Sequence, residues 1–320
     1  MRSALAICAA LAVLTAATQA EAKRPRPLTN GWTLHPLNLV STRSLVACGL
    51  DKAALLSWGG KIAVFDGSRI AELPAMTGHN QGGTYGDGLA ISRSGEDIYA
   101  EASGRIAHWD GSDWSFITMP GWHGPVGGMA VLASGELVVV GRGRVGLRQG
   151  DEIVSYDAGT WRDLSAVTGT SLTDLWTAGQ GGTVMHRQPG GWSRLATGFD
   201  RWVRGIHVGS PTAVWAWGSQ DPWGNATYVM RLHGGRWAAA SDGLPGDGMV
   251  TGMAGPADRP WAAVGEVIAR FDGTRWVTEL QGSDLGPDYQ SFRGLCATGR
   301  YLFAGSSGRA PGAVVRKLQP

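Results

Sequence analysis

The segment Arg105-Ile-Ala-His-Trp-Asp-Gly-Ser-Asp-Trp114 decides how the rest of the chain is read. An apolar run ends on an aromatic residue, Asp-Gly makes a tight turn, and a tryptophan opens the next run. The phrase returns at Val267-Ile-Ala-Arg-Phe-Asp-Gly-Thr-Arg-Trp276. It returns more loosely at Tyr156 to Trp161, His186 to Trp192 and Leu232 to Trp237, and at Val64 to Ile70 an isoleucine takes the Trp place. Each copy reads as two strands joined by a hairpin turn, the second strand opening on a large anchor. Recurrence at a period of about 40 residues points to a propeller blade as the repeating unit.

Working outward, each unit reads as four strands. The units fall at residues 44–73, 88–118, 128–164, 175–195, 205–240, 252–280 and 294–318. The third unit is long, with one third segment from Val145 to Tyr156 and an outer strand at Trp161 to Leu164. The fourth is short, with strands only at Leu175–Ala178, Thr183–His186 and Trp192–Leu195. The last unit has three strands, and Trp32-Thr-Leu-His-Pro-Leu37 is a strand with no unit of its own. The economical solution gives that strand to the last unit, which closes the ring and covers an open sheet edge. The expected fold is an all-β, seven-bladed β-propeller over residues 30–320, with four-stranded antiparallel blades and the N-terminal strand completing the last one. Second strands such as Leu175-Trp-Thr-Ala-Gly179 and Val214-Trp-Ala-Trp-Gly218 are alternating or continuous apolar runs ending on Gly, as expected for central strands packed on both faces. No window carries a sustained helical period.

The chain has 320 residues and a formal charge of +2, which gives no electrostatic case for nucleic acid or a membrane surface. With 50 glycines and only 17% charged residues, it suits many tight turns and poorly suits long solvated helices. Residues 1–22 combine a basic start, the apolar run Ala4 to Ala17 and small residues at Ala20 and Ala22. They read as a cleavable signal peptide, or alternatively as a buried helix or membrane anchor, for which the run is short. Residues 23–29 read as a linker. The expectation is a periplasmic or secreted monomer with no membrane span after cleavage. Cys48 and Cys296 then remain, on the inner strands of the first and last blades. They could form a disulfide, which for so long a loop would contribute on the order of 4–5 kcal/mol in the chain-entropy model. Their strand registers look offset by a residue or two, so two buried thiols stay open as the other outcome.

The repeated tryptophans Trp32, Trp114, Trp161, Trp192, Trp237 and Trp276 read as packing between blades, as do Trp176, Trp215 and Trp261 of the second strands. Four aromatics fit no repeated slot: Trp122, Trp202, Trp223 and Tyr289. They fall in loops on one face, where the connections between blades meet the turns between second and third strands. His79, Tyr85, His123, Arg201, Arg204 and Arg293 are read as their neighbours on that face. Flat aromatic faces beside hydrogen-bonding groups suit sugar rings or peptide side chains. The other reading is that these residues plug the channel mouth. No metal site is expected, because the histidines lack ligand spacing and His186 and His233 read as repeat residues. The loop Asp242 to Gly248 lacks the glutamate that would close a calcium site. No nucleophile elbow is present, and glycine-rich stretches such as Gly179 to Gly182 precede no helix, so no cofactor is expected.

The repeated aromatic-Asp-Gly-x-x-Trp phrase, followed by Leu-Trp-x-Ala-Gly strands, resembles secreted bacterial propellers of the YVTN/BNR-like, photosystem-assembly-factor-like and WD40-like superfamily. The resemblance covers about residues 30 to 318 and implies the propeller fold. It leaves function open among binding proteins, assembly factors and enzymes. A sialidase box would separate Asp from Gly, whereas Asp110-Gly111 and Asp272-Gly273 are adjacent here. The reading that follows is an exported, non-catalytic binding or assembly module that recognises a protein or glycan on its loop face. The alternative is a polysaccharide hydrolase or lyase with its site at the channel mouth, which would bring carboxylates or histidines together there.

Overall fold

The computed structural model describes residues 25–37, 45–57, 60–76, 88–210, 212–219, 227–245, 248–308 and 312–318. The segment read as a signal peptide, and His79, Tyr85 and Trp223, lie outside the described residues.

Seven antiparallel sheets follow one another around a ring. Blade 1 holds Leu45–Cys48, Ala53–Leu56, Ile62–Phe65 and Ile70–Glu72; blade 2 holds Leu89–Ile91, Ile98–Ala102, Arg105–Trp109 and Trp114–Ile117. Blade 3 holds Gly128–Val131, Leu137–Gly141, Arg144–Gln149 and Glu152–Asp157; blade 4 holds Leu164–Ser171, Asp174–Gly179, Thr183–Gln188 and Gly191–Leu195. Blade 5 holds Trp202–Ser210, Ala213–Ser219, Thr227–His233 and Arg236–Ala239; blade 6 holds Val250–Ala254, Trp261–Val264, Val267–Phe271 and Trp276–Gln281. Blade 7 takes Tyr289–Ala297, Tyr301–Gly308 and Gly312–Lys317 from the C-terminal part of the chain, and Trp32–Pro36 supplies its outer strand. The register Trp32↔Arg316 to Pro36↔Gly312 closes the ring. Arg26–Pro27, inside the stretch read as a linker, adds a short fifth strand paired with Thr33 and Leu34.

The core is divided among the blade junctions. Among the described residues seven buried apolar clusters occur, and each joins two consecutive blades, one of them joining blade 7 to blade 1. A single sheet cannot hide both of its faces, so each blade depends on two neighbours. The outer-strand tryptophans serve these junctions. Trp114 donates its indole N–H to Pro74 O at 2.8 Å, and Trp276 donates to Ala240 O at 2.8 Å. In both cases the acceptor lies just beyond the outer strand of the preceding blade.

The hairpin turns repeat at atomic detail. Asp66, Asp110 and Asp272 share three hydrogen bonds, accepted from the N–H groups two and three residues on and from the hydroxyl of Ser68, Ser112 or Thr274, and Asp66 accepts a fourth from Arg69 Nε. These bonds, the Asp113 and Arg275 N–H first, pull the Asp110 and Asp272 carboxyls down to about 2.

Blades 3 and 4 correct the sequence reading. The stretch from Val145 to Tyr156 is two strands joined at Gly150-Asp151, not one. Gly150 adopts φ +62, a left-handed conformation that suits glycine in a two-residue turn. Ile153, fully buried, therefore takes the anchor place in blade 3. Trp161 is 77% exposed and lies in the connector to blade 4, and Tyr156 is 46% exposed in the outer strand rather than buried in the third. The segment 161–164 is not an outer strand; Leu164 opens the inner strand of blade 4, which gives that blade its fourth strand.

Cys48 Sγ and Cys296 Sγ are bonded across the junction of blades 7 and 1, with Cα atoms 5.7 Å apart. The bond joins the first and last inner strands beside the cluster of Phe65, Phe303 and Val315. No helix among the described residues is long and apolar enough to cross a membrane.

Candidate functional site

Inner strands of blades 4, 5, 6 and 7 break register near their loop-face ends, at Leu164/Ala166, Val203/Gly205, Val250/Gly252 and Phe292/Gly294. Such bulges re-aim one side chain. The bulged residues are Ser165, Arg204, Thr251 and Arg293, and they alternate hydroxyl with guanidinium. Ser165 Oγ donates to Val203 O, and Thr251 Oγ1 donates to Phe292 O at 3.1 Å. Each hydroxyl thus clamps the next blade at the residue just before its arginine. Two arginines are set by the same device, two blades apart.

Arg204 lies with its guanidinium carbon 4.7 Å from the centre of the Trp202 ring. The Trp202 carbonyl accepts a bond from Tyr228 Oη at 3.0 Å, which holds the start of this strand. Burial raises the Tyr228 phenol to about 12, so it remains a donor at neutral pH. Trp202 and Arg204 line a cavity of about 340 Å³ with Val126, Arg142, Asp163 and Ser165. The cavity lies where the inner strands of blades 3, 4 and 5 begin, at the channel mouth.

A larger open cleft of about 610 Å³ adjoins it through Arg142 and is lined by His123, Arg144, Asp157, Thr160 and Trp161. Its floor is the connector 158–162 zipped onto the Arg142-Gly143 turn. Gly143 N–H donates to Arg162 O and Ala158 N–H donates to Gly143 O, both at 3.0 Å. A Cβ on Gly143 would collide with Thr160 O, so only glycine permits this contact.

The residues singled out in the sequence are distributed as follows. Trp202, Arg204 and His123 line these two cavities. Arg201 is exposed beside them and pairs loosely with Asp200 at 3.8 Å. Trp122 is a packing residue: its ring covers Gly141 and Gly146, where any Cβ would strike it. Tyr289 and Arg293 sit on blade 7, and Arg293 Nε donates to Ser307 Oγ at 3.3 Å. The sequence reading missed Arg142, Arg144, Asp157 and Asp163, and it placed Trp161 in the core. The Gly150-Asp151 turn was the signal that could have released Trp161 from the repeat.

Histidines and cations elsewhere follow a packing rule. Tyr99, Trp176, Trp215 and Trp261 on second strands face His108, His186, Arg231 and Arg270 directly across on third strands. The two imidazoles stack on their aromatic partners at 4.5 and 3.9 Å, and the two guanidinium groups lie over theirs at 5.1 and 5.8 Å. His108 and His186 each donate Nε2–H to a carboxylate, Asp97 and Asp174, at 2.8 Å. His186 therefore corresponds to His108; His233 lies in the last pair before the Gly234-Gly235 turn, opposite Arg236, and is exposed. Burial lowers His207, whose Nε2–H donates to Gly255 O at 2.9 Å. Among the described residues no three His, Cys, Asp or Glu side chains are grouped to hold a metal ion.

No protein-family model matches the chain, and no curated protein matches it in sequence. Solved structures match along nearly its whole length. A catalytically inactive virginiamycin B lyase from Staphylococcus aureus with quinupristin superposes with a TM-score of 0.68 at 16% identity, covering 90% of this chain and 100% of that one. YCF48 bound to D1 peptide superposes at 0.67 with 12% identity, over 92% and 98%. The WD40 propeller domain of Doa1 superposes at 0.68 with 12% identity, over 91% and 98%. At these identities the likeness is one of fold: the chain shares the architecture of WD40-like seven-bladed propellers.

Proposed function

We propose that the protein is an exported, non-catalytic binding module whose channel mouth receives a projecting segment of a partner protein. The carrying observation is the cavity beneath Trp202 and Arg204. An aromatic wall, a guanidinium fixed on it and a second arginine, Arg142, surround a space of a size suited to a few side chains. Tryptophan and arginine in a desolvated pocket are the residue types that dominate interface energies. Arg293, set by the matching bulge on blade 7, offers a second fixed cation for an extended segment. One fold neighbour, YCF48, is bound to a D1 peptide. Export rests on the N-terminal sequence pattern and agrees with a disulfide, which persists in oxidising compartments.

The rival reading, a lyase or hydrolase acting on polysaccharide, draws on the lyase among the fold neighbours. Weighing against it, His108 and His186 are engaged with carboxylates and rings in a repeated packing slot. The test is affinity capture from an envelope fraction with the mature protein and with an Arg204→Glu/Arg293→Glu variant of native circular dichroism. The expected result is a defined partner retained by the wild type and lost by the variant. Equal capture by both would overturn the placement of the site, and release of new chain ends from a polysaccharide by the wild type would favour the enzyme.

A further inference from the structure

Beyond the channel mouth, we infer that the outer cleft between blades 3 and 4 is a binding site for a carboxylated sugar residue of an acidic polysaccharide. Its platform is Trp161. Arg162 lies over one face of the indole, its guanidinium carbon 4.9 Å from the ring centre. Arg162 is itself backed by Gly181 of blade 4, where a Cβ would run into the guanidinium. The ring is therefore held in place although 77% of the residue is exposed. A large aromatic kept in solvent by a supporting arginine contributes nothing to the core and presents a flat apolar surface to a ligand.

Charge selects the class of sugar. Arg142, Arg144 and His123 face a single carboxylate, Asp157, around the cleft. The chain as a whole carries only +2, so this concentration is local. Arg144 is steadied by Ser155 Oγ at 3.1 Å from Nη1, which leaves its remaining N–H donors for a ligand. Two guanidinium groups flanking Gly143 suit a planar carboxylate. Asp157 discriminates between anionic ligands. Its Oδ1 is fixed by Gly159 N–H at 2.7 Å. A carboxylate there accepts hydrogen bonds from sugar hydroxyls, which a run of acidic side chains does not offer. The volume of about 610 Å³ lies within the usual range of small-ligand sites, roughly 300–1,000 Å³.

The test is titration calorimetry of the mature protein with tetrasaccharides of galacturonate, glucuronate and mannuronate, with the methyl-esterified galacturonate tetrasaccharide and with a tetraglutamate peptide. At least one acidic sugar should bind, and its neutral ester should bind about ten-fold more weakly or not at all. Trp161→Ala and Arg144→Gln should each weaken binding by about ten-fold while the melting temperature holds. Arg204→Glu should leave sugar binding intact, so failure here and failure of the channel-mouth reading are separable. Absence of binding by every acidic sugar would overturn the inference. So would equal binding of tetraglutamate with indifference to Trp161→Ala, which would indicate simple charge attraction to acidic peptide.

Discussion

Two tryptophan–arginine assemblies occupy different junctions of the ring. At the junction of blades 6 and 7, Trp261 lies below Arg270 and Arg316. Glu279 completes it, accepting from the Trp261 indole at 3.0 Å, pairing with Arg270 at 3.5 Å and pairing closely with Arg316. Asn30 of the N-terminal segment donates to the Glu279 carbonyl at 2.7 Å. At the junction of blades 3 and 4, Trp161 and Arg162 make the same kind of contact in the open, and the nearby acid Asp157 is exposed. Identical chemistry thus has opposite roles. A carboxylate that is 14% exposed and pairs with both arginines turns the first assembly into part of the ring closure. Without such a partner the second keeps its binding capacity for something outside the chain.

The largest difference should come from the closing side. Cys48→Ser removes a cross-link between residues 248 apart and should lower unfolding free energy by about 4–5 kcal/mol in the chain-entropy model. Urea unfolding with and without reductant measures this, and a loss near zero would mean that strand pairing alone latches the ring. Next, Glu279→Leu strands two arginines and an indole N–H. It should cost about 2–4 kcal/mol, less than for a fully buried pair because Arg270 keeps 37% of its side chain exposed. If Glu279→Leu proves neutral, the contrast between the junctions collapses.

Trp161→Ala, at the open junction, should change stability by no more than about 0.5 kcal/mol. A larger loss by the same assay would make Trp161 a structural residue after all. The smallest effect should be that of the hairpin turns. The Asp110 and Asp272 carboxyls sit at about 2, below the ordinary 3.8, so their contribution is full above pH 4 and fades as pH falls toward 2. Acid titration of Asp110→Asn beside wild type should show a shallower decline for the variant over that window, with the two curves a constant distance apart above it and converging below it.

Where a local rule sufficed, the chain was legible. Asp-Gly with a following Ser or Thr makes its own turn from its own side chain, and Trp114 and Trp276 mark the strands that leave it. The Gly150-Asp151 turn has the same function with none of that signature, so the next plausible tryptophan, Trp161, took the anchor place from Ile153. Of the candidate site, Trp202, Arg204 and His123 were visible as residues outside the repeat. Arg142 and Asp157 were not, because each is an ordinary turn or strand-end residue until a neighbouring blade comes alongside.

Period and turn chemistry, which depend on contacts within a few residues, are enough to specify the blades, their number and the need for the N-terminal strand to complete the last one. Which tryptophan is buried, which arginine finds a carboxylate and where two loops enclose a space depend on atoms up to tens of residues apart, on separate strands and blades. Those were decided only when the sheets packed face to face, because burial and charge neutralisation are properties of the assembled junction and not of the segment that enters it.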